Sequence, residues 1–284
     1  MPPSLPPTGA EIPAARPHRP FHIWRWVGIA TLVLIFVLIA ALSGGVVATQ
    51  LRSQSNASQQ GPSYPSSQTI VVPHADRFEP FVTEVARGAT VTFRNDDTDA
   101  HSVVSMPTDP LNFRFLVKPH QTVGYTFSQA GIYGYYCDVH SKLDPSTGLI
   151  KARQGTDAYP VSMYGLILVL DSSLPVNSGT TKAVIPAADR FQPLGIVVHR
   201  GTTVTWENLD SVEHTVTAAP SSATSFNLTL VSTKSSSETF NNTGIHPYYC
   251  AIHAQWNSDL KRVQARAGAS DYPAAMEGVV FVVP

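Results

Sequence analysis

Two histidines, a cysteine and a methionine recur in this chain in the same order and at the same spacing. His101, Cys137, His140 and Met163 return as His214, Cys250, His253 and Met276, each 113 positions further on. Two imidazoles, a thiolate and a long axial thioether are the donor set of a type 1 copper centre. Soft sulfur favours Cu(I), imidazole suits both oxidation states, and a protein-fixed trigonal site changes little between them. The chemistry these residues imply is therefore one-electron transfer. A copper-bound thiolate is also withdrawn from ordinary thiol reactions, because the cation lowers its effective pKa.

Taken singly the signals are weak. An isolated cysteine among aromatics is more often a small buried apolar residue than a ligand, and a methionine entering a strand is usually core. What lifts the pattern above that reading is its joint occurrence, twice. Cys137 and Cys250 are also the only cysteines of the chain, one in each copy. An exported protein ordinarily pairs its cysteines, and metal ligation explains a single thiol per repeat.

The elements that must position these residues are duplicated with them. VVPHADRFEP at 71–80 matches VIPAADRFQP at 184–193, RGATVTFRNDD from Arg87 matches RGTTVTWENLD from Arg200, and GIYGYYCDVH from Gly131 matches GIHPYYCAIH from Gly244. A period of this length is too long for a solenoid unit and suits two tandem domains. The remaining histidines of the repeats, His74, His120, His199 and His246, have no counterpart in the other copy and read as mostly surface residues. Within each copy the signals are short β-branched or aromatic runs, at 90–93, 101–104, 122–127 and 166–170, bounded by Gly, Pro, Asn and Asp. No long helical period intervenes, so the expectation is an all-β chain of two antiparallel sandwiches.

The N-terminus differs in kind. Residues 26–48 carry no charge over 23 positions, enough to span a bilayer as one transmembrane helix. Arg16, Arg19 and Arg25 precede this segment and only Arg52 follows closely, which places the N-terminus in the cytoplasm and the rest outside. The run exceeds the apolar core of a cleavable leader, although Val47-Ala48-Thr49 leaves cleavage open. The expected organisation is a disordered cytoplasmic tail (1–25), the transmembrane helix (26–48), a Ser/Gln-rich linker (49–68), a first domain (69–172), a short linker (173–181) and a second domain (182–284). A net charge of −1 without a Lys/Arg stripe excludes nucleic acid as a partner.

Three stretches carry a family resemblance: V-T-[FW]-x-N-x-D (Val91 to Asp97 and Val204 to Asp210), then G-[IV]-x-x-Y-x-C-x-x-H, then M-x-G before a hydrophobic strand. On these, each copy resembles a cupredoxin, the fold of plastocyanin and azurin, over nearly all of 69–172 and 182–284. The resemblance implies a Greek-key β-sandwich with copper at one end. It makes His101 and His214 the upstream imidazoles, Cys137 and Cys250 the thiolates, His140 and His253 the second imidazoles nearest the surface, and Met163 and Met276 the axial ligands. Ser102 and Thr215, after the upstream histidines, take the place of a polar residue that organises the thiolate loop. One departure stands out: 22 residues separate His140 from Met163, and His253 from Met276, where plastocyanin-like proteins have only a few. This insertion could cover the copper end, shape a docking surface or contact the neighbouring domain.

The function expected on these grounds is a membrane-anchored electron carrier with two type 1 copper ions, one per domain, on the periplasmic or extracellular side. Its partners would be membrane lipid through the helix and redox proteins such as a cytochrome or terminal oxidase. Alternatives are a two-domain multicopper oxidase or nitrite-reductase-like enzyme, and a copper storage or delivery module. No His-Cys-His or His-x-His motif occurs: Cys137 is flanked by Tyr136 and Asp138, and Cys250 by Tyr249 and Ala251. The sequence expectation is accordingly that the chain is not an enzyme.

Overall fold

The structure is a computed structural model that describes residues 63–284, which fall within one compact unit. The tail, the hydrophobic segment and most of the first linker lie outside the described residues. Among the described residues there is no helix long and apolar enough to cross a membrane, and the secondary structure is all β.

The first repeat runs β1 (Ser67–Val72), β2 (Val82–Ala86), β3 (Thr90–Asn95), β4 (His101–Ser105), β5 (Arg114–Val117), β6 (Thr122–Thr126), β7 (Gly131–Tyr136), β8 (Ser141–Leu143), β9 (Ile150–Ala152) and β10 (Tyr164–Leu170). The second runs β11 (Thr180–Ile185), β12 (Gly195–His199), β13 (Thr202–Asn208), β14 (His214–Ala218), β15 (Asn227–Leu230), β16 (Ser235–Phe240), β17 (Gly244–Tyr249), β18 (Ala254–Asn257), β19 (Arg262–Ala265) and β20 (Glu277–Val283). Each repeat folds into a three-stranded sheet, β1-β3-β6 or β11-β13-β16, and a five-stranded sheet, β2-β10-β7-β4-β5 or β12-β20-β17-β14-β15. β8–β9 and β18–β19 form separate two-stranded hairpins.

Strand alternation explains the layers. In β3 the residues Val91 and Phe93 point inward, where they meet Ile70, Val72, Tyr135, Ile167 and Val169 in one core. Val204 and Trp206 of β13 do the same with Ile185, Tyr248, Val280 and Val282. Aromatic edges close each core: Tyr135 lies 4.9 Å from Phe78 and 5.3 Å from Phe93, and Tyr248 lies 4.9 Å from Phe191 and 5.3 Å from Trp206.

β10 and β20 are buried at every position. Successive side chains of a strand point to opposite faces, and here both faces are covered. Ile167 and Val169 enter their own core, while Leu166, Leu168 and Leu170 join Val279, Phe281 and Val283 in a third cluster shared by the two sandwiches. The uninterrupted apolar runs LILVL and VVFVV are the sequence trace of that double burial.

The shared face is organised around repeat-equivalent pairs. Tyr164 hydrogen bonds to Glu277, and Tyr159 packs edge-on against Tyr272 at 6.0 Å, each pair being 113 positions apart. A residue can meet its own equivalent only at a two-fold axis, so the sandwiches pack isologously, as in a symmetric dimer.

The unrepeated histidines divide. His74, His120 and His199 are exposed, but His246 is fully buried beside Phe240. Its Nε2 lies 3.0 Å from the Asn242 carbonyl, and the equivalent Tyr133 donates its hydroxyl to the Gln129 carbonyl at 2.9 Å. The imidazole thus replaces a phenol in one repeated bond of the fold, which is why it is not at the surface.

Candidate metal centres

Each upstream histidine is set by the loop before it. The side-chain amide of Asn95, buried at the end of β3, donates to the carbonyls of Asp99 (2.7 Å) and Val117 (3.0 Å), and its oxygen accepts from the Asp97 amide (2.9 Å). That brace aims Asp97 at His101, whose Nε2 lies 3.2 Å from Asp97 Oδ2. With Nε2 so engaged, Nδ1 is left for the interior, 4.0 Å from Cys137 Sγ. Asn208 builds the same brace with Val212, Leu230 and Asp210. His214 Nε2 then stands 3.1 Å from Asp210 Oδ2, and its Nδ1 3.8 Å from Cys250 Sγ. A carboxylate behind a ligating imidazole fixes ring orientation and tautomer.

The cysteines follow β7 and β17, in the turns that carry the second histidines. Cys137 donates its amide to the Met163 carbonyl at 3.0 Å, and Cys250 to the Met276 carbonyl at 3.0 Å. The amides of Ser102 and Thr215 point at the two sulfurs, both at 3.3 Å. His140 Nδ1 is 3.4 Å from Cys137 Sγ, and His253 Nδ1 is 3.5 Å from Cys250 Sγ. In the second repeat the two Nδ1 atoms are 3.1 Å apart. In each repeat all three donor atoms lie within 4.8 Å of one another.

Electrostatics favours a thiolate at Cys137. Burial alone would push its thiol up, but the rings of His101 and His140 and the Ser102 amide outweigh burial and bring it down to about 5. Burial likewise disfavours protonated His140, yet the Cys137 thiolate and Asp76 raise its pKa above the ordinary histidine value. At His214 burial prevails and the pKa falls, keeping the imidazole neutral and able to ligate. Asp97 is buried and Asp210 partly so, which opposes charge, but backbone amides and the neighbouring histidine hold both below the usual carboxylate range.

The long insertion lies against this site through one carboxylate per repeat. Asp157, inside the insertion, donates its amide to Asp76 Oδ2 at 2.7 Å, and Asp76 Oδ1 is 3.4 Å from His140 Nε2. Ser270 donates its amide and hydroxyl to Asp189 Oδ2 at 2.5 and 2.7 Å, and Asp189 Oδ1 is 3.3 Å from His253 Nδ1. The copies differ here, since the carboxylate meets Nε2 in one and Nδ1 in the other. Both second histidines retain some exposure, 11% for the His140 side chain and 17% for His253, whereas His101 and His214 have none.

Met163 and Met276 are buried in the same clusters as Cys137 and Cys250. The Ser141 hydroxyl accepts the Met163 amide at 2.7 Å, tying the end of the insertion to the turn after His140. The Ser102 hydroxyl donates to Asp138 Oδ1 at 2.5 Å, accepts from the Asp138 amide, and stands 3.7 Å from Cys137 Sγ. Thr215 Oγ1 accepts the Ala251 amide at 2.8 Å. Asp76, Asp97, Asp189 and Asp210 were not singled out from sequence as site residues. Their signal was present in the duplicated A-D-R-F and N-x-D, which reads equally well as turn chemistry.

Two imidazole nitrogens and a buried thiolate facing one another fit copper, and each sandwich holds one such His–Cys–His site. No family model matches the sequence. The structural neighbours are cupredoxins and a copper nitrite reductase. They include a purple cupredoxin from Nitrosopumilus maritimus (22% identity, 36% of this chain and 99% of that one, TM-score 0.26) and a single-substitution mutant of amicyanin in its oxidized state (20%, 39% and 97%, 0.28). A Cu-containing nitrite reductase from Thermus scotoductus SA-01 covers 78% of this chain and 68% of its own length, at 14% identity and a TM-score of 0.28.

One expectation is corrected. The absence of a His-Cys-His or His-x-His motif led to the reading that the chain is not an enzyme. Folding brings His101 of β4 to Cys137 and His140 in the turn after β7, and His214 of β14 to Cys250 and His253 in the turn after β17. A motif search along the chain does not see groups that form only in space, so the missing motif does not exclude copper-site catalysis.

Proposed function

We propose that this chain is a membrane-anchored copper redox protein with two type 1 centres, exchanging single electrons with redox proteins outside the cytoplasm. The observation that carries the reading is the convergence of two Nδ1 atoms on one sulfur in each repeat, with Nε2 of His101 and of His214 turned away to a carboxylate. Copper, when bound, supplies a one-electron couple at the sulfur. The protein supplies the rest: a braced strand for His101 and His214, a lowered Cys137 thiol, amides aimed at both sulfurs, and buried Met163 and Met276 thioethers that would complete the donor set. The uncharged segment 26–48 supports the anchor.

The two copper ends offer different surfaces to partners. Leu209, Val212, Val231 and Ile252 are exposed around the second site. Their equivalents in the first repeat are Asp96, Asp99, Lys118 and Val139, so that rim is mostly charged. Two dissimilar docking faces suit one partner that donates electrons and another that accepts them.

A second reading is copper-site reduction of a small substrate such as nitrite. The substrate space it would need is a cleft of about 600 Å³ between the sandwiches, lined by Met106, Leu149, Tyr164, Arg190, Phe191 and Glu277, none of which is a copper donor. Copper loading of the full chain tests both. Two copper ions, an intense thiolate charge-transfer band and its halving in Cys137→Ser support the electron carrier, and a colourless protein rejects it. An additional type 2 EPR signal that shifts on adding nitrite supports the reductase.

A further inference from the structure

The most unusual feature of the shared face is a buried polar trio at its axis. Tyr164 and Glu277 occupy the same position of the repeat, directly after Met163 and Met276. The Tyr164 hydroxyl donates to Glu277 Oε1 at 2.7 Å. Arg262, 3% exposed, donates through Nη2 to the same oxygen at 3.3 Å and through Nη1 to the Tyr164 carbonyl at 3.1 Å, with its guanidinium 3.7 Å above the Phe81 ring. The equivalent of Arg262 is Leu149, which lines the cleft on the other side of the axis. Two further ion pairs, Lys151–Asp271 at 3.6 Å and Lys261–Glu79 at 3.8 Å, also cross between the repeats, but both of their lysines are more exposed than the trio.

The bridge joins the two metal sites. The Cys137 amide bonds the Met163 carbonyl, the next residue is Tyr164, its hydroxyl bonds Glu277, the residue before that is Met276, and the Met276 carbonyl accepts the Cys250 amide. Three hydrogen bonds of 3.0, 2.7 and 3.0 Å and two side chains therefore link one thiolate residue to the other without a van der Waals gap. The chain of bonds does not depend on whether either Met sulfur is a ligand. We infer that the Tyr164–Glu277 bridge carries electrons between the two centres, making the protein a two-site relay. This rests on the reading of two redox-active copper sites. In the step itself one electron leaves the Cys137 end and arrives at the Cys250 end, or the reverse; one site is oxidised and the other reduced by one unit, with no proton moved and no bond made or broken.

A plainer role is that the trio merely fixes domain register, as buried ion pairs do in some proteins. The two roles separate kinetically. In the full chain carrying Met276→Gln to make the visible bands distinct, a sub-stoichiometric pulse of a one-electron reductant is followed at both bands. The expected result is a first-order redistribution whose rate is independent of protein concentration. Tyr164→Phe, which keeps the ring and removes the hydroxyl, should slow it several-fold with copper stoichiometry, spectra and both reduction potentials unchanged. Glu277→Gln keeps an oxygen to accept from Tyr164 and should slow it less. A rate proportional to protein concentration, or one that Tyr164→Phe leaves unchanged, overturns the bridge while two charge-transfer bands leave the copper reading intact. Fewer than two thiolate-bound copper ions per unsubstituted chain, counted by metal analysis against the charge-transfer intensity, overturns that reading and the relay with it.

Discussion

Asp76 Oδ1 lies 3.4 Å from His140 Nε2, while its other oxygen accepts the amide of Asp157 from within the long insertion. One carboxylate thereby couples the position of a loop to the orientation of an imidazole. Partners of this kind typically change metal affinity 10–100-fold when removed, by order of magnitude. Asp76→Ala should weaken copper binding at the first site by about that factor and leave the second unchanged. Competition against a chelator, read at the visible band, checks it; equal retention at both sites would refute the role.

Gly165 faces Tyr135 across β7 and β10, and a Cβ added there would collide with the tyrosine hydroxyl and stand 3.0 Å from the Phe81 carbonyl. Gly278 meets Tyr248 in the same way, at 2.5 Å. Both tyrosines are fully buried and have nowhere to retreat. This accounts for the glycine in the M-x-G stretch. Gly165→Ala should destabilise the copper-free protein by about 1–3 kcal/mol, the usual cost of overpacking, in denaturant unfolding; an unchanged midpoint would refute the steric account.

Met163 is buried against the same core as Cys137, so its two roles, packing and axial donation, can be separated by Met163→Leu. The swap conserves volume and should change copper-free stability by less than about 1.5 kcal/mol. Removing a donor disfavours the electron-poor Cu(II) state, so the reduction potential of one centre should rise. Spectroelectrochemistry that finds both potentials unmoved would remove Met163 from the ligand set.

Asp109 supplies a pH prediction away from the metal sites. Burial pushes its carboxyl up to about 7, against the pull of the Gly134 and Met106 amides. A carboxyl whose folded pKa stands above its unfolded one binds its proton more tightly in the folded state. The resulting stabilisation is complete below the ordinary Asp value of 3.8 and is lost as pH rises to about 7. Asp109→Asn, which never ionises, should therefore gain stability over the parent progressively across that window. Parallel thermal melts of the two proteins between those pH values decide it, and a constant difference would count against it.

The legible parts of this fold are those that the duplication wrote twice. Strands around Val91, His101, Val123 and Ile167 follow from β-branched alternation, and the His, Cys and His donors follow from their common offset. Asp97 and Asp76 were visible as repeated letters but not as site residues, because an Asp in a loop is first of all a turn former. Tyr164, Glu277 and Arg262 left no signal at all. They matter because they differ between copies, and a reading built on repeated residues passes over such positions. His246 is the exception among the mostly exposed unrepeated histidines, and its burial follows from the space Tyr133 fills in the other copy.

A protein made of two identical subunits places the same residue on both sides of its axis, so tyrosine would face tyrosine there, or glutamate would face glutamate in a buried like-charge pair. The contact between Tyr164 and Glu277 requires unlike residues at a single repeat position. Two repeats of differing sequence can place a donor on one side and an acceptor on the other. The two repeats thus hold at the axis a contact that symmetry forbids to a homodimer, and the halves are chemically distinct there although the contact is buried.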